Sequence, residues 1–373
     1  MAMIGKVAVI GSGVMGGGIA AQIANAGVPV LLLDVTRETA AAAIPRLLAS
    51  GAFMLPSNAR RVTPLGIDAD LDALSGCDWV VEAIVEKLDV KQDLYRRIEA
   101  VRRPDAIVSS NTSTIRLAQL TEGASDDFRR HFLITHFFNP PRLMRLLEVV
   151  RGPDTLQSAA NAVTDFADRR LGKTIVRCKD RPGFIANRLG CYWMQLALVE
   201  AIAQGLTVEE ADAVMGKPFG IPKTGVFGLA DLVGIDLMPR VNASLAAALD
   251  ETDAFQSVNV PLPRVASMIE AGFTGRKGKG GFYRLNRAAG KRMEAMDLAT
   301  GEYRPAQRPV LDLPVPVLEQ ANAHGRYARA VMLKTLAYAA ALLGDAADDI
   351  TDIDTAMRLG YNWTWGPFEL IDR

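Results

Sequence analysis

The 373-residue chain is poor in cysteine and histidine, with three of each, and it has no excess charge of either sign. Cys77, Cys178 and Cys191 are odd in number and fall in no CxxC or Cys/His spacing. That argues against a disulfide framework and against a metal site, and suits a reducing compartment. With 42 basic and 42 acidic side chains, no global field draws the chain to nucleic acid or to an anionic membrane. Any anionic ligand must be held by local groups. There is no run of about 18 uncharged apolar residues, and no charged segment leads into an apolar signal core. These absences predict a globular cytoplasmic protein. What is plentiful is apolar surface: 49% of residues are hydrophobic, enough at this length for two or three domains with sizeable cores.

The N-terminus supplies the first positive signal. Lys6 to Ile10 reads as a buried strand that runs directly into Gly11-Ser12-Gly13-Val14-Met15-Gly16, a GxGxxG turn followed by a helix to about Ala26. Gly11 permits the tight turn, Gly13 lets backbone amides approach a pyrophosphate, and Gly16 lets the helix pack on the strand. Pro29 to Leu33 is the next apolar strand and ends in Asp34, where a carboxylate can accept both hydroxyls of an adenosine ribose. The acid favours NAD over NADP, whose extra phosphate it would repel; nearby Arg37 weakens that exclusion.

The second signal is Thr135-His136-Phe137-Phe138-Asn139-Pro140-Pro141 followed by Leu146 to Val150. A strand ending near His136, a turn at the prolines and a returning strand bring Glu148 beside His136. An imidazole with one nitrogen held by a carboxylate has a fixed tautomer, and its other nitrogen is free to take a proton. The plainer reading is a satisfied core histidine and a strand-end glutamate.

Strand-like and helical runs alternate through Trp79–Ile84, Lys87–Val101, Ala106–Ser110, a helix near Asp154–Leu171 and a last strand at Lys173–Cys178. That pattern predicts a Rossmann-like α/β domain over residues 1–180. Asp180-Arg181-Pro182-Gly183 breaks it, and helical runs follow at Phe184–Gln204, Val208–Met215 and Leu229–Leu249, giving an all-helical domain over 181–285. Arg276-Lys277-Gly278-Lys279-Gly280-Gly281-Phe282-Tyr283 closes it. Residues 286–320, with a Pro-rich stretch from Arg304 to Pro316, read as a linker.

Five ordered motifs now resemble the 3-hydroxyacyl-CoA dehydrogenase family, the NAD-dependent enzymes of fatty acid β-oxidation. They are Gly11–Gly16, Val81–Glu86, Ser109–Ser113, His136–Pro140 with Glu148, and Gly183-Phe184-Ile185-Ala186-Asn187-Arg188. The resemblance implies that His136 is the general base, that Glu148 orients it, and that Ser113 and Asn187 hold the reacting oxygen. It also implies NAD contacts at Gly11, Gly13, Val14, Met15, Gly16, Asp34, Glu86, Lys91, Ser113, Asn139 and Lys277. Several of these residues have plainer readings: Ser113 as a helix N-cap, Asn187 as a buried contact between domains, and Glu86 and Lys91 as helix-start and solvent-facing residues. The implied activity is oxidation of an (S)-3-hydroxyacyl-CoA to the 3-oxoacyl-CoA. The alternatives are a dehydrogenase of a free hydroxy acid or sugar acid, and a non-catalytic dinucleotide-binding relative.

The tail repeats part of the helical domain. Gly225-Val226-Phe227-Gly228-Leu229-Ala230-Asp231 recurs as Gly366-Pro367-Phe368-Glu369-Leu370-Ile371-Asp372, and the segment ending in Asp212 recurs at Thr351-Asp352-Ile353-Asp354. Residues 321–373 are therefore expected to be a second, partial copy. Tandem copies resemble the multifunctional β-oxidation proteins, in which an enoyl-CoA hydratase region is joined to the dehydrogenase. In simpler relatives the helical domain pairs with its twin in another subunit, so an internal copy predicts a monomer with an internal pseudo-dimer over a homodimer. Trp363 and Trp365 are the residues that a missing hydratase region or a second chain would otherwise cover.

Overall fold

The computed structural model describes residues 4–287, 290–311 and 316–373, and these form two compact units. The first comprises Met1–Phe184 with Ala346–Asp348, and the second Ile185–Asp345 with Asp349–Arg373. Residues 312–315 of the expected Pro-rich linker lie outside the described residues.

The first unit is built on one sheet of eight strands: β1 (Val7–Ile10), β2 (Val30–Asp34), β3 (Val62–Gly66), β4 (Trp79–Glu82), β5 (Ile107–Ser110), β6 (Phe132–Phe137), β7 (Leu146–Arg151) and β8 (Thr174–Cys178). Their order is β3-β2-β1-β4-β5-β6-β7-β8, with every neighbour parallel except β6 and β7. Every residue of β1, β4, β5 and β6 is buried, as expected where helices cover both faces of a parallel sheet. The order reverses between β1 and β4, and ligands of such sheets bind beyond the strand ends at that reversal. Strand β3 was not foreseen from sequence. Its Pro64 is tolerated because β3 is an edge, where a missing N–H breaks no ladder bond.

The second unit is organised around the Ala186–Gln204 helix, which is buried nearly all round and so packs neighbours on several sides. The expected single helix from Leu229 to Leu249 is two, Phe227–Val233 and Leu237–Ala248. Gly234, at φ +114°, turns the chain between them. The expected linker 286–320 is also not structureless: β9 (Tyr283–Asn286), β10 (Arg292–Met296) and β11 (Tyr303–Pro305) form a small antiparallel sheet. Cys77 and Cys191 are in no disulfide among the described residues, and among these no helix is long and apolar enough to cross a membrane.

The repeated motif has the same structural meaning in both places. Asp212 Oδ1 accepts from the amides of Val226 and Phe227 at 2.8 and 2.7 Å, and Oδ2 from Gly228 at 3.1 Å. Asp354 accepts from the amides of Phe368 and Glu369 at 2.7 and 3.3 Å. In each copy an aspartate on one helix caps the start of the next. The tail packs on the long helix of the first copy. Tyr327 donates to the Ala197 carbonyl at 3.1 Å, Trp363 meets Trp193 edge-on at 5.1 Å, and Arg188 reaches the Tyr338 hydroxyl at 2.9 Å and Asp345 at 2.6 Å. Gly190 is open to Tyr361 alone, since a Cβ at 190 would stand 1.9 Å from the phenol ring. Trp363 is thus only 3% exposed, and the Trp365 ring lies 4.0 Å beneath the Arg373 guanidinium. Trp363 is therefore covered by the chain itself, whereas Trp365 stays partly exposed.

Candidate active site

The prolines after β6 turn the chain so that β7 returns antiparallel, and this register places His136 opposite Glu148. His136 Nδ1 and Glu148 Oε2 are 2.8 Å apart, with His136 6% exposed and Glu148 fully buried. The Phe138 and Phe184 rings flank the imidazole at 4.6 and 5.6 Å. Its Nε2 has no hydrogen-bond partner among the described residues. Phe184 holds a left-handed backbone, φ +47°, uncommon for a residue with a bulky side chain. Such strain persists only where its surroundings fix it, and here it holds an aromatic wall beside the imidazole.

A second set of residues fixes the loop after β5. Glu86 Oε1 accepts from the Thr112 hydroxyl, from the amides of Ser113 and Thr114 at 3.1 and 3.3 Å, and from the Thr114 hydroxyl at 3.2 Å. Burial pushes the Glu86 carboxyl up, but the Lys91 ammonium and the Thr112 hydroxyl hold it below the usual carboxylate range. Lys91 was read as solvent-facing or as a cofactor contact, yet it is 1% exposed. Its Nζ lies 2.6 Å from Glu82 Oε1 and 3.3 Å from Glu86 Oε2. A buried ammonium between two carboxylates positions Glu86 and the Ser113 loop and presents no free charge. Glu82 also accepts from the Tyr95 hydroxyl at 2.5 Å and the Ser110 hydroxyl at 2.7 Å, a cluster not singled out from sequence.

Ser113 does not cap a helix. Thr112 takes the Ile115 amide, and Asp180 caps the Leu117–Leu120 helix through the amides of Leu117 and Ala118 at 2.6 and 3.1 Å. The Ser113 hydroxyl has no partner among the described residues, and its carbonyl accepts from the Gly183 amide at 3.1 Å. Asn187 lies in the second unit, partly exposed in the first turn of the Ala186–Gln204 helix. Lys277 is also in the second unit, exposed on the Gly-rich loop.

The glycine turn is shaped for a dinucleotide. Gly11 sits at φ +102° and a Cβ there would stand 2.5 Å from the Ala83 carbonyl oxygen; one at Gly16 would stand 1.9 Å from the Gly11 oxygen. Gly13, with Val14 and Asn139, instead borders an open cavity of about 370 Å³ at the N-terminus of the Val14–Asn25 helix. There the helix dipole and free amides favour an anion, so the turn fits a pyrophosphate. Met15 is half-buried behind it. Arg46 and Arg142, not foreseen from sequence, add positive charge to the cavity wall.

Asp34 stands at the end of β2, its Oδ2 accepting from the Ser12 amide and hydroxyl at 2.7 and 2.5 Å and its Oδ1 from the Val35 amide at 2.8 Å. Burial raises its carboxyl, but those donors and Arg46 leave it below the usual range, so it is an anion with lone pairs left for ribose hydroxyls. Arg37 is held by Asp70 at 2.9 Å, away from the role of phosphate acceptor.

Sheet order and glycine turn together define the first unit as a dinucleotide-binding domain. The chain belongs to the 3-hydroxyacyl-CoA dehydrogenase family: the family's NAD binding domain matches residues 6–181, and its C-terminal domain matches residues 183–285 and 325–373. It is 40% identical over 384 residues to a Rickettsia felis protein named fatty acid oxidation complex trifunctional enzyme, a match covering 99% of this chain and 53% of that protein. The chain thus spans about half the length of that relative. A crystal structure of Mycobacterium tuberculosis FadB2 superposes with a TM-score of 0.63 at 30% identity, over 76% of this chain and 100% of that one. Escherichia coli 3-hydroxybutyryl-CoA dehydrogenase shares the fold over 98% of this chain and 90% of its own, with a TM-score of 0.74 at 24% identity.

Proposed function

We propose that this chain oxidises an (S)-3-hydroxyacyl-CoA to the 3-oxoacyl-CoA with NAD. The observation that carries the reading is the buried His136 imidazole, held through Nδ1 by Glu148 at 2.8 Å while Nε2 has no hydrogen-bond partner among the described residues. The substrate hydroxyl gives its proton to Nε2, and Glu148 stabilises the imidazolium that forms. The Gly11–Gly16 turn and Asp34 would hold NAD, which would supply the hydride-accepting chemistry. The Ser113 hydroxyl, without a partner among the described residues and on a loop that Glu86 and Lys91 hold still, donates to the substrate oxygen. Glu86 and Lys91 are positioning residues for that loop.

The same reading makes residues 321–373 a partial copy of the 181–285 helical domain, supported by the matched Asp212 and Asp354 caps. A copy supplied in the same chain favours a monomer with an internal pseudo-dimer. The trifunctional name of the Rickettsia felis relative, and its greater length, support a hydratase region joined to or associated with this one.

The test follows NADH consumption with acetoacetyl-CoA and with longer 3-oxoacyl-CoAs, against free 3-oxo acids. Turnover of the thioesters, lost in His136→Ala, is the expected result. Equal rates with free acids, or a fully active His136→Ala enzyme, would overturn the reading.

A further inference from the structure

The basic Gly-rich loop, whose Lys277 the sequence suggested as a cofactor contact, borders a cavity of about 1300 Å³ in the second unit. Six cationic side chains line it: Lys223, Arg276, Lys279, Arg284, Arg287 and Arg308. Lys277 is not among them. The acids in the same wall are already engaged. Glu209 pairs with Arg304 at 2.7 Å, Asp231 takes the amides of Phe282 and Tyr283 at 2.8 Å each, and Asp212 takes three amides and the Tyr283 hydroxyl.

Of the cations, Arg284 is paired with Glu294 at 2.7 Å and Lys279 is tied to the Ala271 carbonyl at 2.9 Å. Lys223, Arg287 and Arg308 have no ion-pair partner among the described residues, and Arg276, which forms no salt bridge there, lies near enough to the Asp231 carboxyl to pull it down. A balanced chain has thus gathered unpaired positive charge in one concavity, where low-dielectric walls focus its field. The Gly-rich loop is tightly packed where it borders the cavity: a Cβ at Gly278 would meet Thr274 Oγ1 at 2.4 Å. Leu285, Met293 and Pro309 add an apolar wall, so the basin offers surface to more than phosphate alone.

From this charge census we infer that the basin binds a small organic polyphosphate through Lys223, Arg276, Arg287 and Arg308, with its uncharged part against Leu285, Met293 and Pro309. Guanidinium forks suit phosphate oxygens bidentately, and the volume exceeds the roughly 300–1,000 Å³ usual for small-molecule sites, leaving room for a nucleotide. Two sources share this chemistry: the phosphoadenosine end of coenzyme A and a free nucleoside diphosphate. The coenzyme A source rests on the proposed function, while binding of a polyphosphate to the basin is read by titration and stands or falls without it.

The experiment is calorimetric titration of the full chain with ADP, CoA and pyrophosphate at saturating NAD, so that the dinucleotide site is filled. The proteins compared are the parent, the triple variant Lys223→Glu/Arg276→Glu/Arg308→Glu, and Arg240→Glu, an exposed charge reversal outside the basin. One basin site, at least tenfold weaker in the triple variant and unchanged in Arg240→Glu, is expected, with affinity falling as salt rises. Single Lys223→Gln and Arg308→Gln variants, at exposed positions with no partner to lose, give the same direction if the triple variant folds poorly. If CoA is the source, the triple variant raises KM for acetoacetyl-CoA but not for acetoacetyl-pantetheine; if a free nucleotide is, ADP binding falls and both KM values stay. Binding that is absent, or equally weakened in Arg240→Glu, would overturn the inference.

Discussion

The buried acids of the two units have different kinds of partner. In the first unit Glu148 meets an imidazole, and Glu82 and Glu86 share the Lys91 ammonium. In the second unit Asp212, Asp231 and Asp354 meet backbone amides. Glu148, beside an imidazole, leaves a proton site for chemistry, whereas Glu86 braces its loop. An acid that gathers amides fixes the backbone, and its lone pairs are taken. The contrast separates a proton site from a brace more sharply than burial does, since Glu148, Asp212, Asp231 and Asp354 are all buried.

The strongest way to break the contrast is to remove each partner in turn. His136→Ala should lower turnover by about 10²–10⁴-fold with NAD affinity unchanged, read by steady-state rates and by NAD titration. Glu148→Gln should follow with a loss on the order of 10²-fold and an unchanged unfolding midpoint. If Glu148→Gln acted only on stability, the first unit's acids would be braces too.

Next comes the second unit's own prediction. Asp212→Ala leaves three amides and the Tyr283 hydroxyl without an acceptor and should cost about 3 kcal/mol in denaturant unfolding; Asp354→Ala, with fewer donors, should cost about 1–2 kcal/mol. A larger loss at Asp354 would remove the ordering. Burial pushes the Asp212 carboxyl up to about 7, against the hydrogen bonds of the Phe227 amide and Tyr283 hydroxyl that hold it down. An unfolded aspartate titrates near ~4, so the folded chain binds this proton more tightly and stability should fall as pH rises from about 4 through about 7. Melting curves of Asp212→Asn across that window should lack the fall.

The smallest effect concerns the cofactor. Asp34→Ala should narrow the preference for NAD by roughly tenfold, and Asp34→Ala/Asp70→Ala, which also frees Arg37, should narrow it further. Identical cofactor ratios in both variants would mean that the Arg37–Asp70 pair has no bearing on the choice.

The parts of this arrangement legible in the sequence are those with local spacing. The glycine turn lies between a strand and a helix, and the His136–Glu148 register follows from one turn between two apolar strands. Glu82, Lys91 and Tyr95 were not legible as a cluster, because they join a strand end to a helix face and each alone reads as an ordinary element residue. Lys91 misled because lysine is almost never fully buried unless paired, and its partners are set by the fold. The β9–β11 sheet was missed because its strands are short, charged and largely exposed, so no alternation marks them. Gly234 was visible between the two halves of the Leu229–Leu249 run, and its positive φ is what splits them.

The bare position at Gly190, filled by the Tyr361 ring, has an evolutionary consequence. In a two-fold pair of identical chains every interface substitution appears on both sides at once, so a change must suit its own image. Here one face is a glycine and the other a tyrosine, encoded separately. Each side can drift and be compensated by a single change elsewhere in the same gene.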